Sequence, residues 1–484
     1  MRPAFWPRSG RVGPRNSPPA SFRHWRSAAH QDRILIVPAR HPDPQTEAIR
    51  QVTTPDTSPR ALRRVVTRWE LVGIAINDVI GSGVYLLPAA AAFLLGPASV
   101  WAVLLAGAAV LLLVLCFAEA ASHFEEPGSG YVYTREAFGN FVGFEVGWMT
   151  WLARVASIAS LSNGFAQAMT FIWPGAGSGF MRVLMVGLPL VVLTWINIVG
   201  VKQGARVAAG FTVAKLLPLV VLIVFGIFAV DWSRIFPVAA PNPANLGEAS
   251  LLLLFAYAGF ENTAAAAGEY KDPRRDVPFA LVTMLLVVTV VYTLVQVVAL
   301  GTLPDLASRM EGAPLADAAA VVLGTGAGLL MTAGAAISIG GNIGSTMLAG
   351  PRYLYALARD GYGPAALARI HPRYDTPAAA ILTQALVAGV LAFSGSFVQL
   401  AMLSVIARMS TYIGTAAAVP FLRRKFPRTD RTVVLPGGPL IPIAALLLSF
   451  GLLASATAWN LIAGAIALVV GGVIYRFRQR PRHD

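Results

Sequence analysis

Asn77-Asp78-Val79-Ile80-Gly81-Ser82-Gly83-Val84-Tyr85, with Pro88 soon after, cuts through an apolar stretch that runs from 69 to 95. Gly81 and Gly83 have no side chain and Ser82 has a small polar one; all three are poor helix formers. A turn left unwound there frees backbone N–H groups at the start of the half-helix that follows. Those groups carry the positive end of the helix dipole and suit a carboxylate. The preceding half-helix ends near Val79 and Ile80, whose freed carbonyls suit an ammonium group. A second stretch, Phe255-Ala256-Tyr257-Ala258-Gly259-Phe260-Glu261-Asn262, interrupts another apolar run in the same manner. Two facing breaks of this kind suit a zwitterion held between them.

Outward from the breaks the chain stays apolar. It is 56% hydrophobic and 13% charged, against roughly 25% charged residues in soluble domains. Val100 to Ala118, Val183 to Val199, Leu216 to Val230 and Ala280 to Leu300 approach the roughly 20 residues that cross a bilayer. In lipid every backbone N–H and C=O must be paired within the segment, so these runs read as helices. The expected fold class is an all-α integral membrane protein with about 12 transmembrane helices. They fall at 69–95, 98–121, 139–171, 181–200, 206–230, 247–268, 278–301, 326–357, 376–394, 397–421, 434–454 and 456–475. Pro314 to Gly324 reads as a short helix outside the membrane.

The broken spans are the first and the sixth, and each opens a block of five. Because five is odd, the second block is inverted in the membrane relative to the first. Gly-interrupted segments at matching positions of inverted halves point to the midplane site of a secondary transporter. The expected organisation is a basic, disordered tail over 1–66, a first repeat over 67–232 and a second over 246–423. Two further helices occupy 434–476, and a basic tail closes the chain over 477–484.

The net charge of +14 does not indicate nucleic acid, because of where it lies. Much of it sits in the N-terminal tail, and most of the rest in alternate loops. Lys202 and Arg206 follow the fourth span, Lys271, Arg274 and Arg275 the sixth, and Arg352, Arg359, Arg369 and Arg373 the eighth. Arg423, Arg424, Lys425, Arg428 and Arg431 follow the tenth, and Arg476, Arg478, Arg480 and Arg482 end the chain. The opposite loops carry little beyond Arg182, Arg234 and Arg309. This is the positive-inside pattern, which places both termini in the cytoplasm and the chain in the cytoplasmic (inner) membrane. The lipid bilayer is the expected surrounding. The tail over 1–66 lacks the apolar core of a signal peptide and offers a basic surface to anionic lipid.

Short loops leave no room for a soluble ATP-hydrolysing domain, and no G-x-x-x-x-G-K-[ST] loop occurs. The one cysteine, Cys116, lies in the second span, which excludes an intramolecular disulfide. With no His/Asp/Glu cluster at metal-ligand spacing, no enzyme activity, metal or cofactor is expected.

Several strings together resemble the signature of the amino acid–polyamine–organocation superfamily. They are Val79-Ile80-Gly81-Ser82-Gly83-Val84 with Pro88, and Phe255-Ala256-Tyr257-Ala258-Gly259-Phe260-Glu261. Gly268-Glu269-Tyr270-Lys271-Asp272-Pro273-Arg274-Arg275-Asp276-Val277-Pro278 is similar to that family's acidic loop. Tyr353-Leu354-Tyr355-Ala356-Leu357-Ala358-Arg359-Asp360-Gly361 and Pro127-Gly128-Ser129-Gly130-Tyr131 resemble its motifs after the eighth and second helices. The matches fall in order over roughly 67–421. The resemblance implies the five-plus-five inverted-repeat fold with two extra helices, and an amino acid or amine as substrate. It implies that Ser82 and Gly83 take the substrate carboxylate through backbone N–H groups. Val79, Phe255 and Ala258 would take the amine through carbonyls, with Ile80, Gly81, Ala256 and Gly259 completing the breaks and Phe255 serving as an aromatic gate.

Ionisable residues inside a membrane are costly and mark functional sites. Lys215 stands about ten residues, hence roughly 15 Å, into the fifth helix, too deep to reach the interface. The resemblance implies that such a lysine replaces a sodium ion and couples transport to protons, bridging the broken first helix and the eighth. Ser338 and Asn342 on the eighth helix are its candidate partners, and Glu261 is a second candidate for proton relay. Asp78 and Arg154 both fall near mid-depth. They are expected to form a salt bridge, with an Asp78–Lys215 pair as the rival. Glu145 and Trp148 are expected at the interface.

The expectation is therefore an amino acid permease that is proton-coupled and works by alternating access. An amino acid/amine or polyamine exchanger, or a sensor of the same fold that binds without transport, are the alternatives.

Overall fold

A computed structural model describes residues 67–124, 129–200, 205–236, 240–265, 273–426, 433–435 and 437–477, the side chains of 205–212, 264–265 and 273–274 excepted. The tail expected over 1–66, Pro127, Gly128, Lys202, the 268–272 part of the acidic loop, and residues 478–484 lie outside the described residues.

The described residues are almost wholly helical, with no strand among them. The helices are α1 (Arg68–Val79), α2 (Gly83–Leu95), α3 (Ser99–Ser122), α4 (Ser129–Phe138), α5 (Asn140–Met169), α6 (Gly179–Val199), α7 (Ala205–Gly226) and α8 (Pro243–Tyr257). They continue with α9 (Phe260–Ala265), α10 (Pro273–Thr302), α11 (Pro314–Leu323), α12 (Thr325–Arg359), α13 (Ala378–Ala392), α14 (Phe397–Lys425), α15 (Leu440–Ala454) and α16 (Ala458–Arg476). Each span read from the sequence coincides with one helix or, at the two breaks, with two helices end to end. The short helix expected at 314–324 is α11.

On length and composition, segments Gly83–Ser122, Gly179–Val199, Arg275–Thr302, Thr325–Arg359, Phe397–Lys425 and Ala458–Arg476 are long and apolar enough to cross a membrane. Pro314–Leu323, Ala378–Ala392 and Leu440–Ala454 are shorter apolar helices. α4 is new: the loop motif after the second span becomes a two-to-three-turn helix. From it the Tyr131 hydroxyl donates to Asp360 Oδ2 at 2.7 Å, joining two of the sequence motifs to each other.

Helix ends follow local chemistry. Thr67 and Glu70 form a capping box at the start of α1, and Ser396 and Gln399 another at the start of α14. Inside the bundle, α5 packs mainly on α14 and α12. Small hydroxyl side chains let the first pair approach closely. Ser157 Oγ lies 2.7 Å from Ser404 Oγ, and Thr150 Oγ1 2.6 Å from Thr411 Oγ1. Ser160 Oγ donates to the Phe397 carbonyl at 2.8 Å. Hydrogen bonds and small residues are the usual cement where lipid removes the hydrophobic incentive for helices to associate.

The outside of the bundle is apolar. Phe228, Leu386, Leu447 and Trp459 are at least 70% exposed. Large exposed apolar side chains across α6, α13, α15 and α16 would be an aggregation hazard in water and are ordinary against acyl chains.

Candidate functional site

Two breaks face each other at the centre of the bundle. α1 stops at Val79, α2 starts at Gly83, and the turn between them is Ile80 to Ser82. α8 stops at Tyr257, α9 starts at Phe260, and the turn is Ala258 and Gly259. Glycine is required where the turns approach. A Cβ on Gly83 would stand 2.5 Å from the Ala256 Cβ and 2.6 Å from its Cα, so α2 and α8 meet there backbone to backbone. Gly259 has φ +125, and a Cβ on it would lie 2.5 Å from the Asp78 carbonyl oxygen. Gly81 faces the side chain of Asn342 on α12.

Among the described residues no hydrogen bond reaches the backbone N–H groups of Gly81, Ser82 or Gly83. Ser82 is 1% exposed and its Oγ is also without a partner. A cluster of unmet donors at the start of α2 is what a carboxylate ligand needs.

The carbonyl side is arranged differently from the expectation. The Lys215 ammonium, from α7, donates to the carbonyls of Asn77 and of Ile80, the latter at 2.8 Å. Ser338 Oγ donates to the same Ile80 carbonyl at 3.3 Å. The Tyr292 hydroxyl of α10 lies 2.9 Å from the Ala256 carbonyl and 3.4 Å from that of Val79. Ile80 and Val79 are thus met by the protein's own lysine and tyrosine. Of the expected amine ligands, Ala258 has a carbonyl that no hydrogen bond reaches among the described residues. Lys215 is 4% exposed and is also fixed from behind, since the Tyr85 hydroxyl donates to its carbonyl at 2.5 Å.

The intramembrane charges pair differently too. Asp78 and Arg154 form no salt bridge, nor do Asp78 and Lys215. Arg154 Nη2 donates to Asn262 Oδ1 at 3.1 Å, and its guanidinium lies over the Tyr353 ring, 5.1 Å from the centroid. Asp78 is half-buried on the cavity wall, with no hydrogen bond or ion pair among the described residues. Asp78 and Arg154 line the same cavity, with Arg154 turned to the amide of α9. Glu261 accepts the Gly259 N–H at 3.0 Å, tying down the second break, and forms an ion pair with Arg408 of α14. Arg408 Nη2 donates in turn to Ser157 Oγ at 3.2 Å. Asn342 does not join Lys215; it lines the cavity beside Gly81. Glu145 and Trp148 pack against α16, where Trp148 Nε1 donates to the Ala467 carbonyl at 2.9 Å.

The expectation has no place for Arg408, Tyr292 or Asn262. Arg408 carries the same signal that singles out Lys215, a lone charge near the middle of an apolar span. Tyr292 gives no signal, because a tyrosine in such a span reads as core.

The residues around the breaks enclose a cavity of about 50 Å³, room for roughly four water molecules. Its wall is mostly polar. Asp78, Arg154, Asn342 and Thr346 line it together with Val79, Leu161 and Phe255. The Phe255 ring closes one end against Phe397, edge to face with centroids 5.9 Å apart.

A profile of the family described as amino acid permease matches residues 66–482. The serine/threonine exchanger SteT of Bacillus subtilis (strain 168) is 30% identical over 424 residues, covering 86% of this chain and 96% of that protein. The branched-chain amino acid permease BcaP of the same organism is 28% identical, covering 89% of this chain and 96% of that protein. Its methylthioribose transporter is 26% identical, with 86% and 93% covered. The chain belongs to the amino acid permease family, within the amino acid–polyamine–organocation superfamily.

Proposed function

We propose that the chain carries a small, polar amino acid across the cytoplasmic membrane by alternating access around the two breaks, with Lys215 coupling that movement to protons. The observation that carries the reading is the meeting of unmet N–H donors at Gly81 to Gly83 with an ammonium seated on the carbonyls of Asn77 and Ile80. A carboxylate binds at the start of α2, and the substrate amine reaches the Ala258 carbonyl and the Asp78 side. Lys215 stands where a cation bridges α7 to the broken end of α1. Loss of its proton would release that bridge and let the two halves of the first span move. Helices α1–α7 (67–232) and α8–α14 (246–423) are read as two inverted repeats, with α15 and α16 added and both termini in the cytoplasm. Rocking of one repeat against the other exposes the site to each side in turn.

The small polar cavity supports a short side chain bearing a hydroxyl or amide, in place of a large aliphatic one. A relative named as a serine/threonine exchanger favours the same side-chain class and makes exchange the second reading.

The test is uptake of a panel of labelled amino acids and polyamines into proteoliposomes. An inward proton gradient is imposed or collapsed, and the lumen is empty or preloaded. Accumulation of serine-like substrates that collapses with the gradient supports proton coupling. Uptake confined to preloaded vesicles establishes exchange, while binding without any uptake supports the sensor.

A further inference from the structure

Beyond the Phe255–Phe397 ring pair lies a second cavity, of about 550 Å³. Asn163 and Gln167 at the far end of α5, Arg182 of α6, Glu311 ahead of α11, and Gly395 to Phe397 at the start of α14 line it. Phe255 lines the small cavity and Phe397 the large one. The two chambers therefore share a single aromatic partition.

The large chamber carries charge of both signs. Arg182 is half-buried and anchored through one nitrogen: its Nη2 donates to Asn163 Oδ1 at 2.9 Å and to the Gly395 carbonyl at 3.0 Å. Its Nε and Nη1 have no partner among the described residues. A guanidinium held this way has lost much of its conformational freedom, and its open edge matches the two oxygens of a carboxylate. Gln167 is no competitor, because its amide already donates to the carbonyls of Met310 at 2.5 Å and Gly312 at 2.8 Å. Those bonds fix the segment that presents Glu311. The Glu311 carboxylate is exposed and has no ion pair among the described residues. A lone anion would satisfy Arg182 and be repelled by Glu311; a lone cation meets the reverse. An α-amino acid zwitterion satisfies both.

We propose that this chamber is a second amino acid binding site. Arg182 takes the carboxylate, Glu311 the ammonium, and the ligand waits there before passing the Phe255–Phe397 partition. Its volume, about eleven times that of the inner cavity, lets it accept side chains that the inner cavity rejects. Selection by side chain then takes place at the partition and beyond it. The proposal rests on the reading of the chain as an amino acid carrier.

The test is equilibrium binding of labelled serine to the purified full chain in lipid nanodiscs, with stoichiometry read at saturation. The expected result is about two serines per wild-type chain and about one per chain for Glu311→Gln and for Arg182→Gln, the remaining site keeping its affinity. Glu311→Gln changes an exposed side chain, so it decides the matter if Arg182→Gln fails to fold. Thr346→Trp, which fills the inner cavity from its wall, is expected to leave about one serine, sensitive to Glu311→Gln. One serine per wild-type chain, unaffected by Glu311→Gln and lost in Thr346→Trp, overturns the outer site and leaves the carrier reading intact. No binding of serine or any other amino acid to folded protein overturns both.

Discussion

Lys215 is buried, and no carboxylate forms a salt bridge with it among the described residues. Its ammonium is held by two backbone carbonyls that the break in the first span has set free. Removing it leaves the Asn77 carbonyl unmet and Ile80 with the Ser338 hydroxyl alone, at about 1–3 kcal/mol for a buried polar group left without a partner. Lys215→Ala is expected to lower gradient-driven uptake by about tenfold or more, equivalent to roughly 1.4 kcal/mol in a rate-limiting barrier. The same variant should retain part of its substrate exchange. Uptake and counterflow measured side by side check this, and unchanged gradient-driven uptake would rule out the coupling role. The Glu261–Arg408 pair is a different case, since removing one partner strands a buried charge. Glu261→Gln is expected to destabilise the protein by about 3–5 kcal/mol, with Glu261→Gln/Arg408→Gln milder than the single change. Thermal unfolding in detergent by size-exclusion recovery reads both. At this scale the sequence marks Lys215, Glu261, Asp78 and Arg154 as intramembrane charges by position alone. It does not give their partners, because pairing depends on helix rotation. Arg154 reaches Asn262, and Glu261 reaches Arg408, across distances of more than a hundred residues in the chain.

Breaks in two helices are written locally and can be read from one strand of sequence. Gly81-Ser82-Gly83 and Ala258-Gly259 stop α1 and α8 at the positions expected for them. What the sequence leaves open is which glycines serve the ligand and which serve packing. Gly83 packs on Ala256, and Gly259 on the Asp78 carbonyl, so each is held by a backbone neighbour. Gly259→Ala places a side chain at φ +125 as well as against that carbonyl. Its expected cost is about 1–3 kcal/mol of backbone strain, together with loss of uptake. Gly73, which has open space around it, is the control: Gly73→Ala should retain uptake, and thermal recovery separates the two. α4 marks the limit at this scale. Ser129 to Phe138 holds polar and aromatic residues with no long apolar run, so it reads as loop until Tyr131 and Asp360 are seen to meet.

For the whole molecule, the positions of the helices follow from hydropathy, and the distribution of Arg and Lys carries the proposed membrane orientation. A fluorescent protein that matures in the cytoplasm, fused after Asp484, is expected to fluoresce, and a periplasmic phosphatase fused there to be inactive. The opposite pair of results would contradict the assignment of the C-terminus to the cytoplasm. The lateral arrangement was not legible, because lipid-facing and core-facing residues are alike apolar. α14 is largely buried and α16 largely exposed, though both are apolar helices. Two of the resemblance motifs meet through Tyr131 and Asp360, a contact that tethers α4 to the end of α12. The central claim is that substrate lies between the two breaks. The most direct measurement is protection from a thiol reagent of a cysteine placed at Thr346, on the cavity wall. The native Cys116 is buried and gives little background, and Ser308→Cys on an exposed loop is the reference. The transported amino acid is expected to slow labelling of Thr346→Cys and to leave Ser308→Cys unaffected. Equal labelling of Thr346→Cys with and without substrate, in protein that still transports it, would contradict the account.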